Sequence, residues 1–423
     1  MKVLVISHNV FSSEGNMGKT LSSYFENYGP DRLAQFYISN EFPSQELCKN
    51  YYRITDREAL ISIFTRKCGK VLHTTLCEKK INSESEDKIN KKKTKLIKKR
   101  PIIFVLRNLV WKFSAWKSKK IFKWVDEFSP NVIFFAAGDY SFIYEIALKI
   151  AEYKKIPLIM CCMDDYYLNN CHKREFLGQT MHRHFLKVVK KNIDYCSCIM
   201  TISDKMNNDY SRIFNKKCIT LHTSSNIVLN YSNRKNRIVY LGNLGLERYK
   251  QIIKLGRALK KINLPNIPTQ IDVYSNEKDI NIIKELSVDN GICFYGEIES
   301  RDVYEVMLKS KYVLHVESFD DDIIKRVKYS VSTKIADALG CGALLLAFGP
   351  SNIASIEYLK KNNAAWVIDD EDTLQKSLEI MFKSESMYRN IIDKAKKLHE
   401  QNHNLYKNSE KLLNEINCIC KNK

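Results

Sequence analysis

Two short runs in the second half of this 423-residue sequence carry the residue types and spacings for chemistry on an anion. Gly242-Asn-Leu-Gly-Leu-Glu-Arg248 follows an apolar segment. Its glycines, Gly242 first, let backbone approach a phosphate, and the closing Arg248 offers a bidentate clamp. Further on, Ser332-Thr-Lys-Ile-Ala-Asp337 places the Ser332 and Thr333 hydroxyls where a helix N-cap belongs, with the Lys334 charge beside them. Asp337 comes one turn later, set to accept hydrogen bonds from ribose hydroxyls. Between the runs, His315 and Glu317 alternate onto one face of a strand end. Fixed cations and helix amides of this kind can hold a phosphate without a metal. A Ser or Thr helix cap is also a common structural device, so the pattern gains its meaning from the elements that hold it.

Those elements alternate between apolar strand-like runs and helical patterns, twice over, which is the signature of parallel α/β layers. The expected strands of the first half are Lys2 to Ser7, Arg32 to Ser39, Asn131 to Ala136, Leu158 to Cys162 and Cys198 to Ile202. A polar stretch at Tyr231 to Asn236 precedes a fresh strand, Arg237 to Leu241. Strands at Ile271, Ile292, Tyr312, Ala343 and Ala364 then build a second unit. The expected division is a first domain over 1–232, a second over 237–385, and a charged helical segment over 386–423 packing back on the first. In such open sheets, ligands bind beyond the carboxyl ends of the strands, where the runs above lie.

The formal charge of +20 implies an anionic partner: nucleic acid, lipid headgroups or diphosphate ligands. The charge gathers in 91–125, where seven Lys and Arg in Lys91 to Arg100 precede Trp111, Trp116 and Trp124 interleaved with lysines. One reading is a helix lying on an anionic membrane with its indoles at headgroup level; the other is a domain helix with its aromatic stripe in the core. No zinc-finger, RNP-like or helix-turn-helix signature points to nucleic acid. No apolar run reaches the length of a membrane span or signal core, and the 13 scattered cysteines fit reduced core thiols, so a cytoplasmic protein, peripheral on the inner face of the plasma membrane, is expected. The cysteines lack the spacing of a zinc site, and no metal is expected.

The Gly242 to Arg248 loop, the Ser332-Thr-Lys-Ile-Ala-Asp-Ala-Leu-Gly-Cys-Gly342 run, Leu344 to Phe348 and Gly349-Pro350 together resemble the donor-binding half of the glycogen-synthase-like clan of GT-B glycosyltransferases, in the branch that builds bacterial surface polysaccharides. Val3 to Phe25 resembles that branch's acceptor domain. The resemblance implies two Rossmann-like doubly wound domains facing across a cleft, and transfer of a sugar, with retention, from a UDP or GDP sugar to a glycan or lipid-linked hydroxyl acceptor, with no cofactor required. It gives Arg248 and Lys334 to the diphosphate and Asp337 to the ribose. The clan's first glutamate, eight positions before the second acid, is here Tyr329; Glu317 or a residue of Asp320 to Asp322 is the candidate replacement. The clan's acceptor-domain histidine is here Met163, which leaves Asp164 or Asp165, at a strand end, as the candidate general base.

Two other readings compete. Ser13-Glu-Gly-Asn-Met-Gly-Lys-Thr20 nearly spells the phosphate loop of nucleotide triphosphatases, but with Ser13 in place of the first glycine. Its Gly18 and Lys19 are instead expected to bring helix amides and charge toward the donor phosphates. The missing glutamate and histidine motivate the second: a GT-B chain that binds sugar or scaffolds without catalysis.

Overall fold

The structure, a computed structural model, describes residues 1–12, 16–43, 47–72, 101–168, 176–225, 227 and 233–421. The basic run Lys91 to Arg100 and Ser13 to Gly15 lie outside the described residues. The chain forms two compact units, one of Met1–Leu221 with Ser409–Lys423, the other of His222–Asn408. The segment expected to pack as one piece over 386–423 is thus divided between them.

The first unit holds eight strands: β1 (Val3–Ser7), β2 (Leu33–Tyr37), β3 (Asn50–Arg53), β4 (Lys70–Leu72), β5 (Val132–Ala136), β6 (Leu158–Cys162), β7 (Cys198–Thr201) and β8 (Cys218–Thr220). Their order across the sheet is β4-β3-β2-β1-β5-β6-β7-β8, parallel except for β4 against β3. Val3 of β1 pairs with Leu33 on one side and Val132 on the other, so chain order reverses there. Among the described residues the helices between the strands are α1 (Asn16–Tyr24), α2 (Asp56–Thr65), α3 (Pro101–Phe113), α4 (Lys119–Phe128), α5 (Ser141–Lys154), α6 (Phe176–Tyr195) and α7 (Asp204–Phe214). The central strands are apolar on both faces because helices cover both, as a parallel sheet requires.

The basic, tryptophan-bearing segment is not one helix. α3 stops at Phe113, a 3₁₀ turn spans Ala115–Lys117, and α4 follows. Trp111, Trp116 and Trp124 are all buried, which favours the aromatic stripe in the core over indoles at a membrane surface. Trp111 stacks on Phe142 at 4.4 Å and donates its indole N–H to Asp56 at 2.8 Å. Rings this large contribute most to stability when desolvated with the N–H satisfied, and that demand decides where they sit.

The second unit is a six-stranded, all-parallel sheet in the order β11-β10-β9-β12-β13-β14. The strands are β9 (Lys235–Leu241), β10 (Ile271–Tyr274), β11 (Ile292–Gly296), β12 (Ser310–Val316), β13 (Leu344–Phe348) and β14 (Trp366–Ile368). The helices are α8 (Arg248–Lys260), α9 (Ile280–Glu285), α10 (Ser300–Leu308), α11 (Asp321–Val327), α12 (Thr333–Gly340), α13 (Ala354–Lys361), α14 (Leu374–Lys383) and α15 (Glu385–Leu398). A π turn at His399–His403 leads into the last helix, α16 (Leu405–Lys421), within which the chain returns to the first unit. Alternate residues of each strand feed opposite layers. Ile238, Tyr240, Leu314 and Val316 pack under α8 and α14, and Val239, Leu241, Val313 and Leu345 pack under α12 and α15. Chain order reverses between β9 and β12, so their carboxyl ends mark where a ligand crevice is expected.

Candidate functional site

The loop after β9 is held by its own hydrogen bonds. The Tyr240 hydroxyl donates to the Asn243 carbonyl at 2.6 Å, and the Gly245 N–H donates to the Asn243 side-chain oxygen at 2.6 Å. Leu246 and Glu247 both sit in the left-handed region, at φ 59 and 58, the kind of stored strain that marks functional sites. This turn starts α8 at Arg248 and sends its guanidinium toward the end of β12. There Arg248 donates from Nε to one Glu317 oxygen at 3.2 Å and from Nη2 to both, at 2.9 and 3.2 Å. Both groups are largely buried, with side chains 19% and 4% exposed. These bonds use Nε and Nη2 and leave the Nη1 edge for another anion.

Glu317 follows β12 directly, its N–H bonded to the Phe348 carbonyl of the next strand. His315, on the same face, has Nε2 3.6 Å from Glu317, too far for a hydrogen bond, and that nitrogen has no partner among the described residues. Burial drives its pKa down to about 3, and the nearby charges of Arg248 and Lys334 push the same way. Burial raises the Glu317 carboxyl above its usual range, against the pull of Arg248. Arg248, His315 and Glu317 therefore form one cluster, with the Lys334 charge near enough to act on the imidazole.

Lys334 belongs to the first turn of α12. Ser332 is the N-cap residue with extended backbone, but its side chain makes no capping bond, and Thr333 opens the helix. Asp337, further along α12, accepts a 2.6 Å hydrogen bond at Oδ1 from the buried Ser225 hydroxyl. The Ser225 N–H is fixed in turn to the His403 carbonyl at 2.9 Å. His403 is buried, its Nδ1 2.7 Å from the Thr223 carbonyl and its Nε2 2.9 Å from the Tyr358 hydroxyl, so Nδ1 carries the proton and Nε2 accepts. Nothing in the sequence singled out Ser225; 112 positions separate it from Asp337.

Gly340 closes the same helix. A Cβ there would lie 2.7 Å from the His399 ring, so a bare Cα lets the π turn pack against α12. Gly242 follows β9, where a Cβ would stand 3.2 Å from the Tyr240 hydroxyl. The replacements considered for the missing glutamate are arranged differently from one another. Asp320 caps α11 by accepting the N–H groups of Asp322 and Ile323, whereas both Glu317 oxygens engage Arg248. Tyr329 is buried, its hydroxyl accepting from the Lys328 ammonium at 3.1 Å.

In the first unit, Gly18 and Lys19 lie in the first half of α1. A Cβ on Gly18 would stand 2.6 Å from the Val10 carbonyl oxygen, so this glycine permits close packing of α1 on the loop before it. Asp165 is buried. Its Oδ1 accepts from the Tyr210 hydroxyl at 2.7 Å and from the Tyr167 and Leu168 N–H groups, which makes it the tie of its own loop. Asp164 is exposed and accepts the Asp165 N–H. A cavity of about 270 Å³ opens at the ends of β1 and β5, the reversal point of this sheet, lined by His8, Arg107, Asp139, Tyr140 and Met163 among others. Arg107 lies 4.0 Å over the Tyr140 ring and is paired with Asp56 at 2.9 Å. His8 follows the first strand, Asp139 and Tyr140 the fifth and Met163 the sixth, which was the available sequence signal for them; Arg107, within α3, had none.

Comparison with known proteins bears on this arrangement. Residues 255–414 match a family model described as glycosyl transferase-like. No curated protein matches the sequence. Among solved structures, HepE of Anabaena in complex with UDP aligns over 99% of this chain and 100% of its own, at 11% identity and a TM-score of 0.65. Sucrose-phosphate synthase from Thermosynechococcus elongatus aligns over 100% of both chains at 10% identity and a TM-score of 0.62. WaaG, a glycosyltransferase involved in lipopolysaccharide biosynthesis, covers 98% of this chain and 99% of its own at 13% identity and 0.55. The chain has the GT-B fold. In GT-B terms, the second unit is the carboxyl-terminal Rossmann-like domain, and the Arg248 cluster stands at its sheet reversal.

Proposed function

We propose that this GT-B chain is a glycosyltransferase that moves a sugar from a nucleoside diphosphate sugar to a hydroxyl acceptor. The observation that carries the reading is the Arg248, His315 and Glu317 cluster at the carboxyl ends of β9 and β12, with the Lys334 charge near enough to act on the buried imidazole. The match of residues 255–414 to a glycosyl transferase-like family supports it, as does the likeness in fold to a protein solved with UDP. The donor is a UDP or GDP sugar, and the acceptor a glycan or lipid-linked glycan at the cytoplasmic face of a membrane.

In the reaction, the bond between the anomeric carbon and the diphosphate breaks, a bond to the acceptor oxygen forms, and the acceptor proton leaves. Arg248, through its Nη1 edge, and Lys334 hold the diphosphate and take up the charge it gains as it departs. Glu317 positions Arg248 through the two-pronged pair. Gly242 and the Ser332 and Thr333 end of α12 provide backbone room and amides for the phosphates. His315, kept neutral, offers an uncharged nitrogen beside them. Asp337 receives the ribose hydroxyls. Asp164, exposed, and Asp165, buried, both at the end of β6, are the candidate proton acceptors.

The deciding experiment is a thermal-shift series with UDP, GDP, their sugars and ATP with magnesium, on the wild type and Arg248→Ala. Stabilisation by UDP or GDP compounds that vanishes in Arg248→Ala supports the reading and names the base. Stabilisation by ATP with magnesium alone overturns it.

A further inference from the structure

Large apolar side chains exposed to water concentrate on two neighbouring helices of the first unit. α2 exposes Leu60 at 48%, Ile61 at 46% and Phe64 at 84% of their surface; α3 exposes Leu106 at 54%, Leu109 at 42% and Phe113 at 60%. On α3 these fall at i, i+3 and i+7, a single stripe. The two helices pack side by side: Arg107 and Trp111 bond Asp56, and the Ala115 N–H donates to Ser62 at 3.0 Å. The contact buries Trp111 and Ser62 and leaves the apolar stripes exposed. Patches of exposed apolar side chains on this scale mark binding surfaces.

The charge around the stripes is mostly positive. Residues 59–72 hold three Lys and Arg and residues 101–125 hold six, with no Asp or Glu in either stretch. Arg66, Lys67, Lys112, Lys117 and Lys119 are exposed. The acids at the start of α2 are already engaged, Asp56 by Arg107 and Trp111, and Glu58 by Thr55 and by Lys70 at 3.5 Å. Apolar side chains within a mostly basic surround match a negatively charged lipid surface, where hydrocarbon takes the rings and headgroups take the ammonium groups. No described helix is long and apolar enough to cross a membrane, so contact of this kind is made from one side.

We infer that the α2–α3 face is a docking surface for an anionic lipid bilayer, inserted through Phe64, Phe113 and the leucines beside them and held by the flanking lysines. The tryptophans have no part in it. The surface lies wholly in the first unit, and the inference stands apart from the transfer chemistry.

The test is co-sedimentation of the full chain with vesicles of phosphatidylglycerol and phosphatidylcholine in equal parts, against vesicles of phosphatidylcholine alone. The wild type is expected to partition at least about 10-fold more strongly onto the anionic vesicles, at roughly 1 kcal/mol for each basic residue near the surface. The double variant Phe64→Ser, Phe113→Ser is expected to lose about 10-fold or more while keeping its melting temperature, since both rings are exposed in the fold. The triple variant Lys67→Gln, Lys112→Gln, Lys117→Gln is expected to lose the preference for anionic lipid. In a separate measurement, Phe64→Trp is expected to shift its emission to the blue on anionic vesicles only. Wild-type indifference to phosphatidylglycerol, or undiminished binding by the double variant, overturns the inference. So does a wild-type dimer in light scattering that the double variant turns into a monomer, which would make a second copy the occupant.

Discussion

Arg248 and Glu317 form a two-pronged ion pair with both partners withdrawn from water, 69 positions apart in sequence and each just past a central strand. A buried pair of this kind adds little net stability, but losing one member leaves the other charge stranded. Arg248→Ala is therefore expected to destabilise the second unit by about 3–5 kcal/mol. Replacing the pair together, as Arg248→Met with Glu317→Leu, is expected to recover most of that loss. If the pair serves the donor, the recovered double variant still turns over at least about 100-fold more slowly than wild type. Full activity in the refolded double variant would show a purely structural pair.

Ser225 fixes Asp337 by a 2.6 Å hydrogen bond to one oxygen, and that sets the angle at which the carboxylate meets a diol. Loss of a hydrogen bond to a charged group costs about 1.5–3 kcal/mol, or roughly 10-fold or more in binding. Ser225→Ala is expected to weaken a nucleoside diphosphate by about that factor and to bring the 2′-deoxy nucleotide level with the parent, with Ser225→Thr restoring part of the difference. Asp337→Asn is the control. If it abolishes discrimination between the two nucleotides and Ser225→Ala does not, Ser225 has no positioning role; if neither changes it, Asp337 does not meet the ribose.

The two parallel sheets were legible because apolar runs alternate with helical ones. The expected strands Leu158 to Cys162 and Ile271 to Tyr274 are found with the same ends. β3, β4 and β8 were missed: each is three or four residues long, and their half-polar sequences, such as Asn50-Tyr-Tyr-Arg53, give too few positions for a period to register. The tryptophans were ambiguous because the periodicity of a basic aromatic stretch is the same on a membrane and in a core. The break at Ser114, which the pattern does not announce, turns all three indoles inward. Of the candidate site, Arg248 and Lys334 stood out through their spacing from glycines and a cap. Ser225 could not, because a lone serine in a segment between units gives no local pattern.

Gly340 is expected to resist substitution for a reason unrelated to the backbone. Its added methyl would press on the His399 ring at 2.7 Å, although alanine favours a helix. Gly340→Ala is expected to cost about 1–3 kcal/mol as an overpacked contact. Adding His399→Ala should return part of that stability. Additivity of the two changes would mean that the glycine is required for something else.

Acid is expected to unfold the second unit through its buried histidines. His315, facing Arg248, Lys334 and Glu317, and His403, facing His222 and His399, both have pKa values lowered to about 3, burial being the main cause in each. Burial also lowers His399. An unfolded histidine binds its proton near pH 6.5, so above that pH neither state is charged and these groups do not affect stability. Below it the unfolded chain takes up protons that the folded unit refuses, and stability falls by up to about 1.4 kcal/mol per pH unit for each group until the folded pKa near 3 is reached. Glu317 works in the opposite sense: its raised pKa means that the folded state holds a proton more readily, which favours folding as pH falls toward the ordinary carboxylate range. Burial raises the Asp272 carboxyl too, and with His315 and His403 lowered furthest the net direction is loss. Melting curves between pH 7.5 and about 4.5 are expected to fall steeply below roughly pH 6, and His315→Asn and His403→Gln should each flatten the slope whatever they do to stability at pH 7.5. Slopes unchanged in both variants would place the acid sensitivity elsewhere.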